Sequence, residues 1–328
     1  MINLKELSSE LKNLIDNSNS IAVASHLNPD GDNLGSATAM LGMLNKLSKN
    51  PVFILDDSVP SHFKFLPNLS YSKSPENIDE DFDLFIALDS SDEDRMGDRV
   101  KEIFNKSKKT VNIDHHFSNK NYADLNIVDE NSPATCEVLA RIFKSLNLQL
   151  DKEIATSLFT GLSTDTGSFK YSSVSSKTFE IASDLFKYDI DINEVTQNVY
   201  QSRSRQKTDL LIRAMNSIEY FDKDKIAVVI VTKEDMEKTK AAKSDADGIV
   251  EFVRDIDTVE LAVLLKEKDD CIRLSLRSKS YVDCTKIASK FNGGGHIRAS
   301  GGTINHTDIK KAKKDLVEVA EEELLMVS

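Results

Sequence analysis

Four groups of acidic and histidine residues have the donor chemistry of a metal centre. They are His26-Leu27-Asn28-Pro29-Asp30-Gly31-Asp32, Asp89, Asp114-His115-His116, and Asp165 in Gly161-Leu162-Ser163-Thr164-Asp165-Thr166-Gly167. Taken singly each is ordinary: an Asp-Gly pair in a proline-containing loop usually marks a turn, and a His pair is usually plain surface or core. Together they are not. So many carboxylates in one place repel one another without cations, and two divalent ions would balance four of them. Carboxylate and imidazole donors without thiolate favour Mn²⁺ or Mg²⁺ and leave Fe²⁺, Co²⁺ or Zn²⁺ open, with manganese the expected ion. A pair of such ions about 3.5–4 Å apart lowers the pKa of a bridging water and clamps a phosphoryl oxygen, which suits phosphoester hydrolysis. Other motifs fail on spacing. An EF-hand beginning at Asn28 needs Gly and Glu where Asn33 and Ala39 stand, and the last position of a Gly-x-Ser-x-Gly elbow is Asp165.

The elements that must position these groups alternate in type. Leu4, Leu7, Leu11 and Leu14 predict an amphipathic opening helix. Ile21–Ala24, Pro51–Leu55, Leu84–Leu88 and Thr110–Ile113 read as strands buried on both faces, with helical patterns between them, as over 33–47. Helices are expected over 133–146, 151–163 and 175–188. The expected fold class is therefore α/β, a mostly parallel sheet flanked by helices over residues 1–188. His26, Asp89 and His115 follow three of the strands and Asp165 ends a helix. At the carboxyl ends of parallel strands such groups converge on one crevice. A polar helical connector is expected over 189–216. Beyond it, strands at 226–231, 259–266 and 271–277 and helices at 283–291 and 308–325 predict a smaller α+β domain over 217–328.

That second half carries a different chemistry. Residues 271–302 hold six basic side chains, Arg273, Arg277, Lys279, Lys286, Lys290 and Arg298, against the single acid Asp283. Within them, Asn292-Gly293-Gly294-Gly295-His296-Ile297-Arg298-Ala299-Ser300-Gly301-Gly302 has consecutive glycines whose N–H groups can approach an anion, with His296 and Arg298 as charged donors. Ser275, Arg277 and Ser278 on the preceding strand are candidates to complete an anion pocket. The segment is neither a Gly-x-Gly-x-x-Gly loop nor a Walker loop. His62 and His306 have no comparable neighbours and read as surface residues, as do Arg95 and Arg99.

Composition narrows the classes. The 328 residues carry 42 Lys and Arg against 54 Asp and Glu, a net charge of −12. This argues against binding to long duplex nucleic acid through a general basic field. Three cysteines, Cys136, Cys271 and Cys284, form no Cys-x-x-Cys pair and fit a reducing compartment, by default the cytoplasm. No signal peptide is expected at the N-terminus, and no apolar stretch approaches the ~18 residues of a spanning helix. Aromatic residues are only 7% and do not interleave with the basic ones beyond Tyr281 and Phe291, unlike a single-strand-binding protein.

His-x-Asn-Pro-Asp-Gly-Asp at 26–32, Asp89 after its strand, Asp-His-His at 114–116, Asp165 in its Thr-Asp-Thr-Gly turn and Gly-Gly-Gly-His at 293–296 resemble the DHH–DHHA1 phosphoesterases, in order and over nearly the whole chain. The likeness is greatest to the compact NrnA-like group. It implies a DHH catalytic domain, a DHHA1 substrate domain and an active site in the cleft between them. It implies hydrolysis of very short oligonucleotides to nucleoside 5′-monophosphates, including pApA from cyclic di-AMP breakdown, and dephosphorylation of 3′-phosphoadenosine 5′-phosphate. Carried over, it makes His26, Asp30 and Asp89 ligands of one Mn²⁺, and Asp32, Asp89, His115 and Asp165 ligands of the other, with Mg²⁺ or Co²⁺ as alternatives. Asp89 would bridge, and His116 would meet the scissile phosphate or leaving group. Asp114 would orient the imidazoles. Arg277, Ser278, Gly294, Gly295, His296 and Arg298 would hold the substrate phosphate. A homodimer without membrane attachment is expected. RecJ-like exonucleases need further modules, and family II pyrophosphatases lack the Gly-Gly-Gly-His segment. A pyrophosphatase-like hydrolase and a non-catalytic nucleotide-binding protein are the alternatives.

Overall fold

Near-continuous apolar runs become fully buried strands. The computed structural model describes residues 3–327, and its two compact units divide between Ser202 and Arg203, inside the stretch read as a connector. In chain order the first unit opens with α1 (Leu4–Asp16), β1 (Ile21–Ser25), α2 (Gly31–Lys46), β2 (Val52–Ile54), β3 (Ser72–Lys73) and β4 (Leu84–Leu88). It continues with α3 (Asp98–Lys106), β5 (Thr110–Asp114), β6 (Leu125–Val128), α4 (Thr135–Ser145), α5 (Lys152–Asp165), α6 (Ser176–Leu185) and α7 (Ile192–Tyr200). The strands form one parallel sheet in the order β3-β2-β1-β4-β5-β6. Every residue of β1 and β4 is buried. Val23, Ile86 and Ile113 face a core shared with α1, α2, α4 and α5, while Ala22, Ala24, Phe85 and Ala87 face Val100, Ile103 and Phe104 of α3. Helices thus cover both faces, as an all-parallel sheet requires. The edge strands β3 and β6 carry no strand signal of their own: one is two exposed polar residues, the other a four-residue stretch interrupted by Asn126.

The second unit comprises α8 (Arg205–Asn216), β7 (Glu219–Phe221), β8 (Ile226–Val231), α9 (Lys233–Thr239), α10 (Ile249–Arg254), β9 (Leu261–Glu267) and β10 (Ile272–Ser278), then α11 (Cys284–Ser289), β11 (Gly294–His296), β12 (Ala299–Ile304) and α12 (Ile309–Val327). Its mixed sheet runs β11-β12-β10-β9-β8-β7, with only β8 and β9 parallel. One face packs on α11 and α12, the other on α8 and α10 through Leu210, Ala214, Ile249 and Val253. The glycine segment is therefore not a loop. It is a hairpin, β11 and β12, held in register by β10, a pairing that overrides the low strand preference of glycine. No helix among the described residues is long and apolar enough to cross a membrane.

Candidate metal centre

Three neighbouring strands each deliver one group at their carboxyl ends: His26 after β1, Asp89 after β4 and His115 after β5. The chain leaves β1 toward β2 and β4 toward β5, so these ends flank the point where the strand order reverses, where a parallel sheet opens a crevice. Asp89 takes a left-handed backbone, φ 54°, that Asp tolerates better than most residues. α2 adds Asp30, its N-cap, and Asp32 in its first turn; α5 ends on Asp165. The two helices pack closely because Gly161 has no side chain. A Cβ there would lie 2.3 Å from Cys136 Sγ and 2.8 Å from Asp32 Oδ1.

The groups meet as two clusters sharing one residue. His26 Nε2 stands 3.4 Å from Asp89 Oδ2 and 3.7 Å from Asp30 Oδ2. His115 Nε2 stands 3.5 Å from Asp165 Oδ2, 3.6 Å from Asp89 Oδ1 and 3.9 Å from Asp32 Oδ2. Asp89 thus turns one oxygen to each cluster. The other ring nitrogens face carbonyls, His26 Nδ1 that of Leu27 at 2.7 Å and His115 Nδ1 that of Ser132 at 3.2 Å. A carbonyl only accepts, so in the neutral rings Nδ1 carries the proton and Nε2 a lone pair. His115 Nε2 is buried with no hydrogen-bond partner, its lone pair set among three carboxylates. Such an arrangement is repulsive until a cation enters it, so the donor set fits metal ions.

Charge regulation agrees. Burial drives the Asp32 and Asp165 carboxyls well above the ordinary 3.8, followed by the charge of Asp89 for Asp32 and that of Asp32 for Asp165, and Asp30 moves the same way. Burial would raise Asp89 too, but once the imidazoles are protonated, the hydrogen bond from His26 Nε2–H and the charges of His115, His26 and His116 hold it well below. The outer carboxyls therefore hold a proton more readily than ordinary carboxyls in the absence of metal.

His116 also lies within ligand distance of Asp89 and His115, but its ring is engaged in a hydrogen-bond circuit of its own. Its Nδ1 lies 3.7 Å from Asp89 but bonds Asp114 Oδ1 at 2.7 Å, which leaves Nε2 for other partners. Burial would lower its value, yet the bond to Asp114 and the charges of Asp114 and Asp89 raise it above 6.5. Asp114 in turn accepts at 2.6 Å from Asn119, whose Nδ2 also reaches Asn112 Oδ1 at 2.7 Å. Asn112 Nδ2 donates in turn to Tyr122 Oη at 3.0 Å. Asn112, Asn119 and Tyr122 bear no motif; the one signal is an amide inside an otherwise apolar strand. Asp32 and Asp89 have hidden supports as well. The N–H groups of Thr135 and Cys136, in the first turn of α4, donate to Asp32 at 2.6 and 2.9 Å, and Thr135 Oγ1 donates to Asp89 at 2.9 Å.

In the second unit, alternation along β10 sends Arg277 and Ser278 to opposite faces of the sheet. Arg277 pairs with Glu251 of α10 at 2.9 Å, and Ser278 is buried. Arg298 donates to the Val282 carbonyl at 2.8 Å and lies 3.4 Å from Ser278 Oγ. His296 is exposed at the hairpin end. Gly295 has φ 140° and packs against Ala299 O, but around Gly294 a Cβ would meet nothing within 4 Å, so backbone packing does not demand glycine there.

The DHH family, N-terminal domain, matches residues 20–162 and the DHHA1 domain matches residues 223–325. The chain belongs to the DHH family. Among its relatives is the bifunctional oligoribonuclease and PAP phosphatase NrnA of Thermus thermophilus, 29% identical over 305 residues that cover 93% of this chain and 90% of the relative. The protein of the same name from Bacillus subtilis is 27% identical, covering 92% and 95%. An exopolyphosphatase-related protein from Bacteroides fragilis superposes with a TM-score of 0.90 at 25% identity, covering 98% of this chain and 96% of its own. In this DHH chain the matched regions hold every residue of the two clusters except Asp165, which lies three residues past the first match.

Proposed function

We propose that this chain is a Mn²⁺-dependent phosphoesterase that hydrolyses very short oligonucleotides, dinucleotides such as pApA included, to nucleoside 5′-monophosphates and dephosphorylates 3′-phosphoadenosine 5′-phosphate. The observation that carries it is Asp89 shared between two imidazole–carboxylate clusters, with His116 beside them and its Nδ1 engaged by Asp114. His26, Asp30 and Asp89 would hold one cation; Asp32, Asp89, His115 and Asp165 would hold the other. Divalent ions, when bound, neutralise phosphoryl oxygens and acidify water, and hard oxygen donors with two imidazoles suit Mn²⁺. The remaining work falls to the chain. Thr135 and the first turn of α4 hold Asp32 and Asp89 in place. Asp114 keeps the His116 Nδ1–H bonded, so Nε2 is the atom that gives a proton to the leaving oxygen. In the second unit Gly294, Gly295, His296 and Arg298 offer donors for an anionic phosphate, with Ser278 beside Arg298, whereas Arg277 would have to leave its Glu251 partner to join them. The names of the NrnA relatives supply the substrate class, and the net charge of −12 favours small substrates over long duplexes. A cytoplasmic homodimer is the form that goes with this proposal.

The test is turnover of pApA, a short oligoribonucleotide, 3′-phosphoadenosine 5′-phosphate and pyrophosphate by purified protein with Mn²⁺. Hydrolysis of the first three is expected. Hydrolysis of pyrophosphate alone would overturn the assignment.

A further inference from the structure

An open cavity of about 370 Å³ lies beside His116, lined among others by Phe117, Asn121, Val128, Glu130 and Asn131. Phe117 follows the Asp-His-His run directly and is 87% exposed. An exposed phenylalanine is unremarkable singly, but this one stands next to the imidazole proposed to serve the leaving group. The lining is unsuited to phosphate. Asp129 is neutralised by Arg141 at 2.6 Å, whereas Glu130 has no basic partner among the described residues. The cavity therefore keeps one unpaired carboxylate on its rim, away from the imidazole of His116 at its inner end. Its other polar groups are neutral amides: Asn121 and Asn131 use their backbone N–H groups locally, and neither carboxamide makes a hydrogen bond within the described residues. A flat ring, two free amides and one unpaired carboxylate match a nucleobase, which presents a π-face to stack and edge N–H and acceptor groups to pair.

We propose that Phe117, with Asn121, Glu130 and Asn131, forms a nucleobase subsite that selects nucleotides over other phosphate esters. The proposal rests on the phosphoesterase assignment, in that the phosphate of the same nucleotide would sit at the cation clusters. The carboxylates that draw cations there and the acidic rim here would sort the two ends of the ligand, phosphate toward metal and base toward Phe117.

The experiment measures equilibrium binding of AMP and of ribose 5-phosphate to the Mn²⁺-loaded wild type, Phe117→Ala and Phe117→Trp, because these ligands differ only in the base. AMP should bind the wild type more tightly than ribose 5-phosphate. Phe117→Ala should weaken AMP about tenfold, the scale of one lost base–aromatic stack, while leaving ribose 5-phosphate unchanged, and Phe117→Trp should restore AMP binding. The substituted side chain is exposed, so the fold is not at stake. Equal affinity of the wild type for the two ligands, an unchanged AMP affinity in Phe117→Ala, equal loss for both ligands, or no AMP binding at all would each overturn the subsite. Failure of wild-type protein to cleave pApA would instead strike the phosphoesterase assignment and leave the binding comparison readable.

Discussion

Asp114 Oδ1 accepts a 2.7 Å hydrogen bond from His116 Nδ1, and Asn119 holds the other carboxylate oxygen at 2.6 Å. The imidazole is thereby fixed in one orientation, and its acid form persists above 6.5. If His116 donates a proton, activity falls on the alkaline side as that group deprotonates. Replacing Asp114 by Asn removes the charge that raises His116, so the alkaline limb of the kcat profile should move to lower pH, with a loss of about tenfold near the optimum. His116→Gln should cost about a hundredfold in kcat and abolish the limb. A pH profile of Asp114→Asn identical to the wild type would remove His116 from proton transfer.

Asp89 faces both clusters, so Asp89→Asn should impair both cation sites together and reduce hydrolysis to background. Metal content by elemental analysis after dialysis checks the first outcome, and turnover of pApA the second. Wild-type-like hydrolysis would sink the shared-ligand mechanism.

Cation binding should release protons. Burial and neighbouring carboxylates hold the Asp32 and Asp165 carboxyls well above 3.8 without metal, so a cation competes with protons for these ligands. Affinity for Mn²⁺ should therefore rise with pH, and calorimetry in buffers of different ionisation enthalpy should show proton release. At a hundredfold excess over the dissociation constant, the bound ion should add about 2.7 kcal/mol to stability, visible as a higher Tm than in chelator.

Gly161→Ala tests the approach of α5 to Asp32. The new methyl would lie 2.8 Å from Asp32 Oδ1, so a helix or the carboxylate must shift. The expected result is a destabilisation of about 1–3 kcal/mol with weakened Mn²⁺ affinity, followed by thermal melting and metal titration. Unchanged metal affinity would mean that Asp32 tolerates displacement.

Glu260, nearly buried in the second unit, accepts from the N–H groups of Ser280, Tyr281 and Val282 and from Ser280 Oγ. Burial would raise its carboxyl, but these donors win and lower it from 4.5. Its unfolded value is thus the higher one. The stabilisation it contributes is present above pH 4.5 and is lost as pH falls through the depressed folded value. Glu260→Gln should cost about 2–3 kcal/mol at pH 7, with a smaller difference from the wild type in acid. Urea melts of the two proteins at pH 7 and below pH 4 give the comparison.

The two-unit α/β architecture was legible in the amino-acid order because long-range packing writes itself into local patterns. A strand buried on both faces must be apolar throughout, as Leu84–Leu88 is, and parallel strands need intervening helices. Strands supported mainly by their neighbours left no such mark: Ser72–Lys73 and the glycine-rich β11 and β12 are strands because β2 and β10 offer edges to pair with.

By itself the sequence determined which side chains gather at the candidate site, since carboxylates and imidazoles placed after apolar strands meet at the carboxyl edge of a parallel sheet. Only tertiary structure decided how they divide the work. That Asp89 turns one oxygen to each cluster, that Asn119 tethers Asp114, that Arg277 is paired with Glu251, and that Phe117 stands beside an open cavity all depend on contacts between distant segments. Residue type and spacing constrain which groups can come near one another. Which oxygen faces which nitrogen is set by packing over the whole unit, where a displacement of an ångström separates a shared ligand from a bystander.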